Sequence, residues 1–217
     1  MFNENNIKVK SSMSRKIHLL ARLLIMTCLL ICGCCNGRQD KLQLPDSYDV
    51  TAVVGEKMLR ISLERVSDSL SKIKVKTLIG GDTVHVSTFR LPYPVYRFDV
   101  GDVTGDGVPE IAVGVIKTTL YHPVMAKRPF LFKINEDGDV RKLWMGSRVS
   151  QPLEDFVLTK GETPARVMTI ELEQSGKFLV AVYRYQGFGL AHDGYIKREI
   201  SIEEAYKLLR WQRSSLW

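Results

Sequence analysis

From residue 48 onward the chain places apolar residues at every second position over much of its length. Leu59, Ile61 and Leu63 alternate with Arg60, Ser62 and Glu64, and Ile73, Val75 and Thr77 alternate with Lys72, Lys74 and Lys76. Successive side chains on a strand point to opposite faces, so each run predicts a strand with one buried face. Ser67-Asp68-Ser69 between them predicts a hairpin turn. Gly80-Gly81-Asp82 leads into a third run, Val84, Val86 and Thr88, which Pro92 and Pro94 close. Further strands are predicted over 97–100, 110–117, 129–134, 140–144, 156–159, 165–172 and 178–185, with turns at Asp137-Gly138 and Ser175-Gly176. One segment carries the signals of a helix. Ser201 and Glu204 form a capping box, and Ala205, Leu208 and Leu209 then supply one apolar face.

Many short strands separated by polar turns predict an all-β, mainly antiparallel domain, small or open and propeller-like, with one short C-terminal helix. Gly107, Gly138 and Gly176 each mark a polar turn before an apolar strand, which hints at an internal repeat.

The first 47 residues of the chain depart from this pattern. Leu23–Cys32 is ten residues without charge, preceded by Arg15, Lys16 and Arg22. A helix needs roughly 20 apolar residues to cross a bilayer, so this run is too short to span one. A basic segment followed by a short apolar one has the layout of an export signal, and starting at Met13 gives it an ordinary length. Ile31-Cys32-Gly33-Cys34 resembles the bacterial lipobox. That resemblance implies cleavage after Gly33 and acylation of Cys34. The expected organisation is a lipoprotein signal peptide over 1–33, a lipid-anchored tether over 34–47 and a single β-rich domain over 48–217.

Charge and cysteines sharpen this picture. The formal charge is +7, but residues 1–33 hold five of the 31 basic residues and one of the 24 acidic ones. Without them 26 basic and 23 acidic residues remain, a net of +3, and no basic patch with interleaved aromatics argues for nucleic acid. All four cysteines, Cys28, Cys32, Cys34 and Cys35, lie in or beside the signal. The body from Asn36 onward therefore has no disulfide, thiolate metal site or cysteine nucleophile, and depends on a hydrophobic core.

The most specific segment of the body is 99–115, DVGDVTGDGVPEIAVGV. Asp102, Thr104 and Asp106 stand two apart and Glu110 follows eight residues after Asp102. Oxygen ligands at such spacing can point at one hard cation, and glycines permit the tight wrap. The segment resembles the calcium loop of the FG-GAP or VCBS repeat of integrin-like β-propellers. The resemblance implies calcium held by Asp102, Thr104, Asp106, the Val108 carbonyl and Glu110. Thr104 stands where the family has Asp or Asn, and Glu110 where it has Asp. The other reading of the same residues is a metal-free Gly-rich turn held by Asx hydrogen bonds.

Other constellations carry less. Asn135–Asp139 (NEDGD) lacks an acid at the ninth position and reads as a hairpin turn. His192 and Asp193 are adjacent, which on a strand sends them to opposite faces. His85, His122 and His192 are scattered, and Ser147 lacks a nucleophile elbow. Tyr183, Tyr185, Phe188, Trp144, Trp211 and Trp217 fit core packing, or else an aromatic surface for a glycan or envelope-protein partner. The expected function is a membrane-anchored lipoprotein of the bacterial cell envelope, on the outer membrane facing the periplasm, with a non-catalytic binding or scaffolding role. The alternative is an envelope hydrolase acting on glycans through acids near 99–110.

Overall fold

The computed structural model describes residues 47–146 and 148–214. The expected signal peptide, the expected Cys34 anchor, the expected tether up to Asp46, Ser147 and Trp217 lie outside the described residues. Among the described residues, twelve strands fall into three four-stranded antiparallel sheets, each built from strands consecutive in the chain. The first sheet holds β1 (Ser47–Val54), β2 (Lys57–Ser67), β3 (Leu70–Ile79) and β4 (Asp82–Leu91). The second holds β5 (Val95–Gly101), β6 (Glu110–Thr119), β7 (His122–Ile134) and β8 (Val140–Met145). The third holds β9 (Leu153–Leu158), β10 (Val167–Leu172), β11 (Phe178–Gln186) and β12 (Gly189–Ile200), and is followed by α1 (Ile202–Ser214). The domain is thus all-β with one short C-terminal helix, as the alternation predicts.

Three apolar cores show how the layers stack. Leu59, Ile61, Ile73 and Val75 of the first sheet pack with Phe98, Ile111, Val113, Phe130 and Phe132 of the second. The opposite face of the second sheet, with Ala112 and Leu131, packs with Phe156, Leu158, Val167, Leu179 and Tyr183 of the third. The third sheet's remaining face, with Met168, Ile170 and Val180, is covered by Ala205 and Leu209 of α1. The sheets lie face to face like neighbouring propeller blades, and they do not form a closed barrel.

This stacking explains two kinds of strand in the sequence. The first sheet is covered on one side only, so β2 and β3 alternate. The second is covered on both, so Ile111 through Val115 of β6 are all buried and the strand reads as a continuous apolar run. Helix α1 begins where the capping box places it, with the Glu204 N–H donating to Ser201 Oγ at 3.2 Å. Among the described residues, no helix is long and apolar enough to cross a membrane.

Three features differ from the sequence expectation. Strand β1 is additional, and its inward residues Tyr48, Val50, Ala52 and Val54 cover the edge of the first core. Strand β12 is also additional. Repeated register shifts against β11 break its alternation, so no period-two signal marks it. Gly107, Gly138 and Gly176 all have positive φ, near 84, 89 and 82°, yet they precede the second and fourth strands of one sheet and the third of another. Their spacing is therefore no repeat; the repeating unit is the four-stranded meander.

Candidate functional site

The segment joining β5 to β6 is held by its own carboxylates. Asp102 Oδ1 accepts from the Gly105 N–H at 2.6 Å and its Oδ2 from the Gly107 N–H at 2.9 Å. Asp106 Oδ1 accepts from the Val108 N–H at 2.8 Å. Glu110 Oε2 accepts from the N–H groups of Val103 and Thr104, at 2.8 and 3.2 Å, and its Oε1 from the Thr104 hydroxyl at 3.1 Å. These bonds satisfy the donors of a turn too tight for a regular ladder. The loop is also docked from outside: the Ala165 N–H donates to the Asp102 carbonyl at 2.6 Å, and Gly105 sits against Pro164. With φ near 80° and a Cβ that would lie 2.8 Å from Pro164 Cγ, position 105 has two reasons to be glycine.

Glu110 is almost wholly buried. Burial pushes its carboxyl up to about 7, against the pull of the Val103 and Thr104 hydrogen bonds, and the nearby Asp106 charge adds to the rise. Three of the five calcium-ligand candidates thus have carboxylates aimed at backbone N–H groups. Among the described residues no three His, Cys, Asp or Glu side chains gather as an ion site. As arranged, these carboxylates cap the turn they belong to.

The acids of this segment part to different sides. Asp99 is buried toward the third sheet, where Oδ2 accepts from the Leu158 N–H at 2.8 Å and Oδ1 from Lys160 Nζ at 2.8 Å. Asp106 and Glu110 instead line a cleft of about 980 Å³ at the end of the first and second sheets. Four connections surround this cleft: the β1–β2 turn, the end of β3, the 102–110 loop and the Asn135–Gly138 turn. Glu56, Asp106, Glu136 and Asp137 stand among its walls, together with Lys57, which reaches the Glu136 carbonyl at 3.0 Å. The two acidic segments conspicuous in the sequence therefore meet at one end of the fold. Asn135–Asp139 is a hairpin turn, closed by Asn135 Oδ1 on the Asp139 N–H at 2.7 Å and by the Gly138 N–H on the Asn135 carbonyl at 2.9 Å.

The remaining candidates stay apart. Asp193 pairs with Arg166 at 3.0 Å, while His192 lies between the rings of Tyr183 and Tyr195. His85 meets Asp139 at 3.1 Å and His122 meets Arg128 at 2.6 Å, on different elements. The aromatic group divides too. Tyr183 is core, Trp144 lies half-buried against Gly189, and Phe188 is fully exposed at the β11–β12 turn. Lys72, Lys74 and Lys76 occupy the solvent side of β3, with Lys74 3.6 Å from Glu64.

Two buried polar groupings escaped the sequence reading. Arg97 of β5 pairs with Asp155 of β9, Nε to Oδ1 at 2.8 Å, both almost wholly buried between the second and third sheets. Burial lowers the Arg97 affinity for its proton, yet the hydrogen bond and charge of Asp155 outweigh it and hold the guanidinium above its usual range. Glu171 of β10 is fully buried and accepts from the Thr169 and Tyr183 hydroxyls, at 2.7 and 2.8 Å, and from the Gln151 N–H at 2.7 Å. The signal was a charge between apolar residues, as in Tyr96-Arg97-Phe98 and Ile170-Glu171-Leu172, whereas Asp155 stands beside Glu154 and carried no such mark.

No family model matches the chain, and comparison with curated proteins and with solved structures returns no match.

Proposed function

We propose that this protein is a lipoprotein of the bacterial cell envelope, tethered through Cys34, whose β domain binds or scaffolds a partner and does no chemistry. The observation that supports this reading is the use made of the acids at 99–110. Asp99, Asp102, Asp106 and Glu110 all accept backbone N–H groups, and Asp99 and Glu110 are buried. Carboxylates engaged in this way fix the shape of a loop; a glycosidase needs two of them flanking a substrate bond. The loop in turn shapes one wall of the cleft, where an envelope protein or glycan would dock.

Calcium held by Asp102, Thr104, Asp106, the Val108 carbonyl and Glu110 is a second reading, favoured by the FG-GAP-like spacing. It asks these oxygens to ligate an ion beside the loop donors that several of them already accept. Melting curves of the chain in excess EDTA and in millimolar calcium, for the native protein and for Asp106→Ala, separate the readings. The self-capped turn predicts that Asp106→Ala loses about 1 kcal/mol with and without calcium. An ion-held loop predicts a native midpoint raised by several degrees in calcium, equivalent to about 2.7 kcal/mol at 100 times Kd, and abolished by Asp106→Ala. Glycan hydrolysis that Asp106→Ala removes without lowering the midpoint would sink the non-catalytic reading.

A further inference from the structure

The β6–β7 hairpin ends in a two-residue turn. Thr119 pairs with His122, leaving Leu120 and Tyr121 at the apex. Two-residue hairpin turns favour Asn, Asp and Gly, which accept the positive φ and face water. This one carries two large apolar side chains, 87 and 86% exposed, with Val124 and Met125 beside them at 55 and 65%. Neither turn geometry nor core packing calls for apolar residues there.

The apex is also held in shape. The buried Arg128 guanidinium donates to the carbonyls of Lys117 and Val124, at 3.3 and 2.8 Å, and to His122 Nδ1 at 2.6 Å, so it laces both strands just below the turn. Burial lowers the Arg128 proton affinity from its usual range. Ordering the hairpin by this bonding removes much of the entropy cost of presenting a fixed apolar tip.

Where the tip lies suggests its occupant. Strand β1 ends at Val54 and β6 begins at Glu110, both on the cleft. The start of β1 and the end of β6 therefore lie at the opposite end of the domain. The chain arriving from Cys34 enters at Ser47, on the end that bears the tip. Tyr48 packs on Phe98, which pairs with Val113, and from there the hairpin continues six residues to Thr119. That overhang is at most about 20 Å. Twelve residues, Cys35–Asp46, link the anchor to the domain and can extend about 40 Å, enough for the tip and the anchor to meet one surface. The exposed Arg65 and Arg90 lie at this same end, whereas Glu56, Asp106, Glu136 and Asp137 cluster at the other. Glu64 and Asp68 offset part of the basic charge.

We infer that Leu120, Tyr121, Val124 and Met125 form a second membrane contact, seated in the headgroup region of the bilayer that holds the anchor. This rests on the reading of Cys34 as lipidated. The domain then stands on its hairpin, with the acidic cleft turned away from an anionic lipid surface. Among the other exposed apolar residues, Val53, Met58, Val84 and Val86 on the outer face of the first sheet are interspersed with lysines, and Phe188, Tyr195, Ile196 and Trp211 lie on the third sheet and α1, away from the β6–β7 hairpin.

The test uses the full chain, purified from membranes and reconstituted in vesicles of brominated phosphatidylcholine with phosphatidylglycerol. Tryptophan is placed at the tip by Leu120→Trp and, as a second probe, by Met125→Trp; Phe188→Trp reports the exposed β11–β12 turn of the third sheet. We expect tip fluorescence to shift to the blue and to be quenched about twofold beyond the unsubstituted protein, consistent with burial about 5–10 Å into the interface, with Phe188→Trp unchanged. Flotation of the native chain against Cys34→Ala reports the anchor separately. An anchored chain whose tip probes are not quenched would overturn the proposal, as would equal quenching at the tip and at position 188. Tip quenching in a chain whose flotation does not depend on Cys34 would refute the anchor reading and leave the hairpin as a membrane contact in its own right. Protection of the tip by a protein partner without lipid quenching would also overturn it.

Discussion

Replacing Asp155 by Asn tests whether the second and third sheets are joined through a dry ion pair. Arg97 and Asp155 side chains are each 4% exposed and bonded at two points, Nε to Oδ1 at 2.8 Å and Nη2 to Oδ2. Two unit charges about 3 Å apart attract by roughly 5 kcal/mol at an effective dielectric of 20. Taking both out of water costs several kcal/mol per ion, so the net value of the pair is small. Breaking it is another matter, because the surviving charge keeps its desolvation cost and loses its partner. Asp155→Asn should therefore destabilise by about 3–5 kcal/mol, or roughly 6–20 °C in the midpoint for a domain of this size. Arg97→Met combined with Asp155→Leu removes both charges and should fall within about 1 kcal/mol of the native protein. Urea unfolding of the native protein, Asp155→Asn and the double variant, followed by far-ultraviolet circular dichroism and by tryptophan fluorescence, gives the three stabilities, and coincident transitions would license a two-state treatment. A loss under about 1 kcal/mol for Asp155→Asn would mean that water reaches the pair. A double variant as unstable as the single one would mean that shape, not charge, joins these sheets.

Two further outcomes follow from the 102–110 loop. Gly105→Ala should cost about 2–4 kcal/mol, from a left-handed backbone and the contact with Pro164, whereas Gly107→Ala, with open space around its Cβ, should cost about 1–2 kcal/mol; comparable melting midpoints would contradict the docking of the loop on Pro164. The second outcome concerns pH. Because burial raises the folded Glu110 carboxyl from 4.5 to about 7, its contribution is fully present below pH 4.5 and is lost as pH rises through 7. In EDTA the native protein should lose up to about 3 kcal/mol across that window relative to Glu110→Gln, and parallel stability profiles of the two would count against a buried, proton-binding Glu110.

Much of this fold could be read from residue order because edge layers leave a periodic trace. The first sheet is wet on one side, so Leu59, Ile61, Ile73 and Val75 alternate with polar neighbours and announce their strands. The helix cap at Ser201 is equally local, since its hydrogen bond spans three residues. Strand β12 left no such trace, because register shifts against β11 spoil its alternation. The loop chemistry was half legible. The spacing of Asp102, Thr104, Asp106 and Glu110 marks a segment rich in oxygen acceptors, but the partners of those oxygens depend on backbone direction.

What residue order determined by itself is therefore local: the strand periods, the turns and the helix cap. Tertiary structure alone decided which faces meet. Residues 58 positions apart become Arg97 and Asp155 in one buried pair, and the loop at 102–110 and the turn at 135–138 come to share a cleft. It also decided that the large side chains of Leu120 and Tyr121 stand in solvent at the tip of a hairpin. The physical reason is range. Side-chain alternation and capping are set within a few residues, whereas burial and charge pairing are set by layers that fold together from distant parts of the chain.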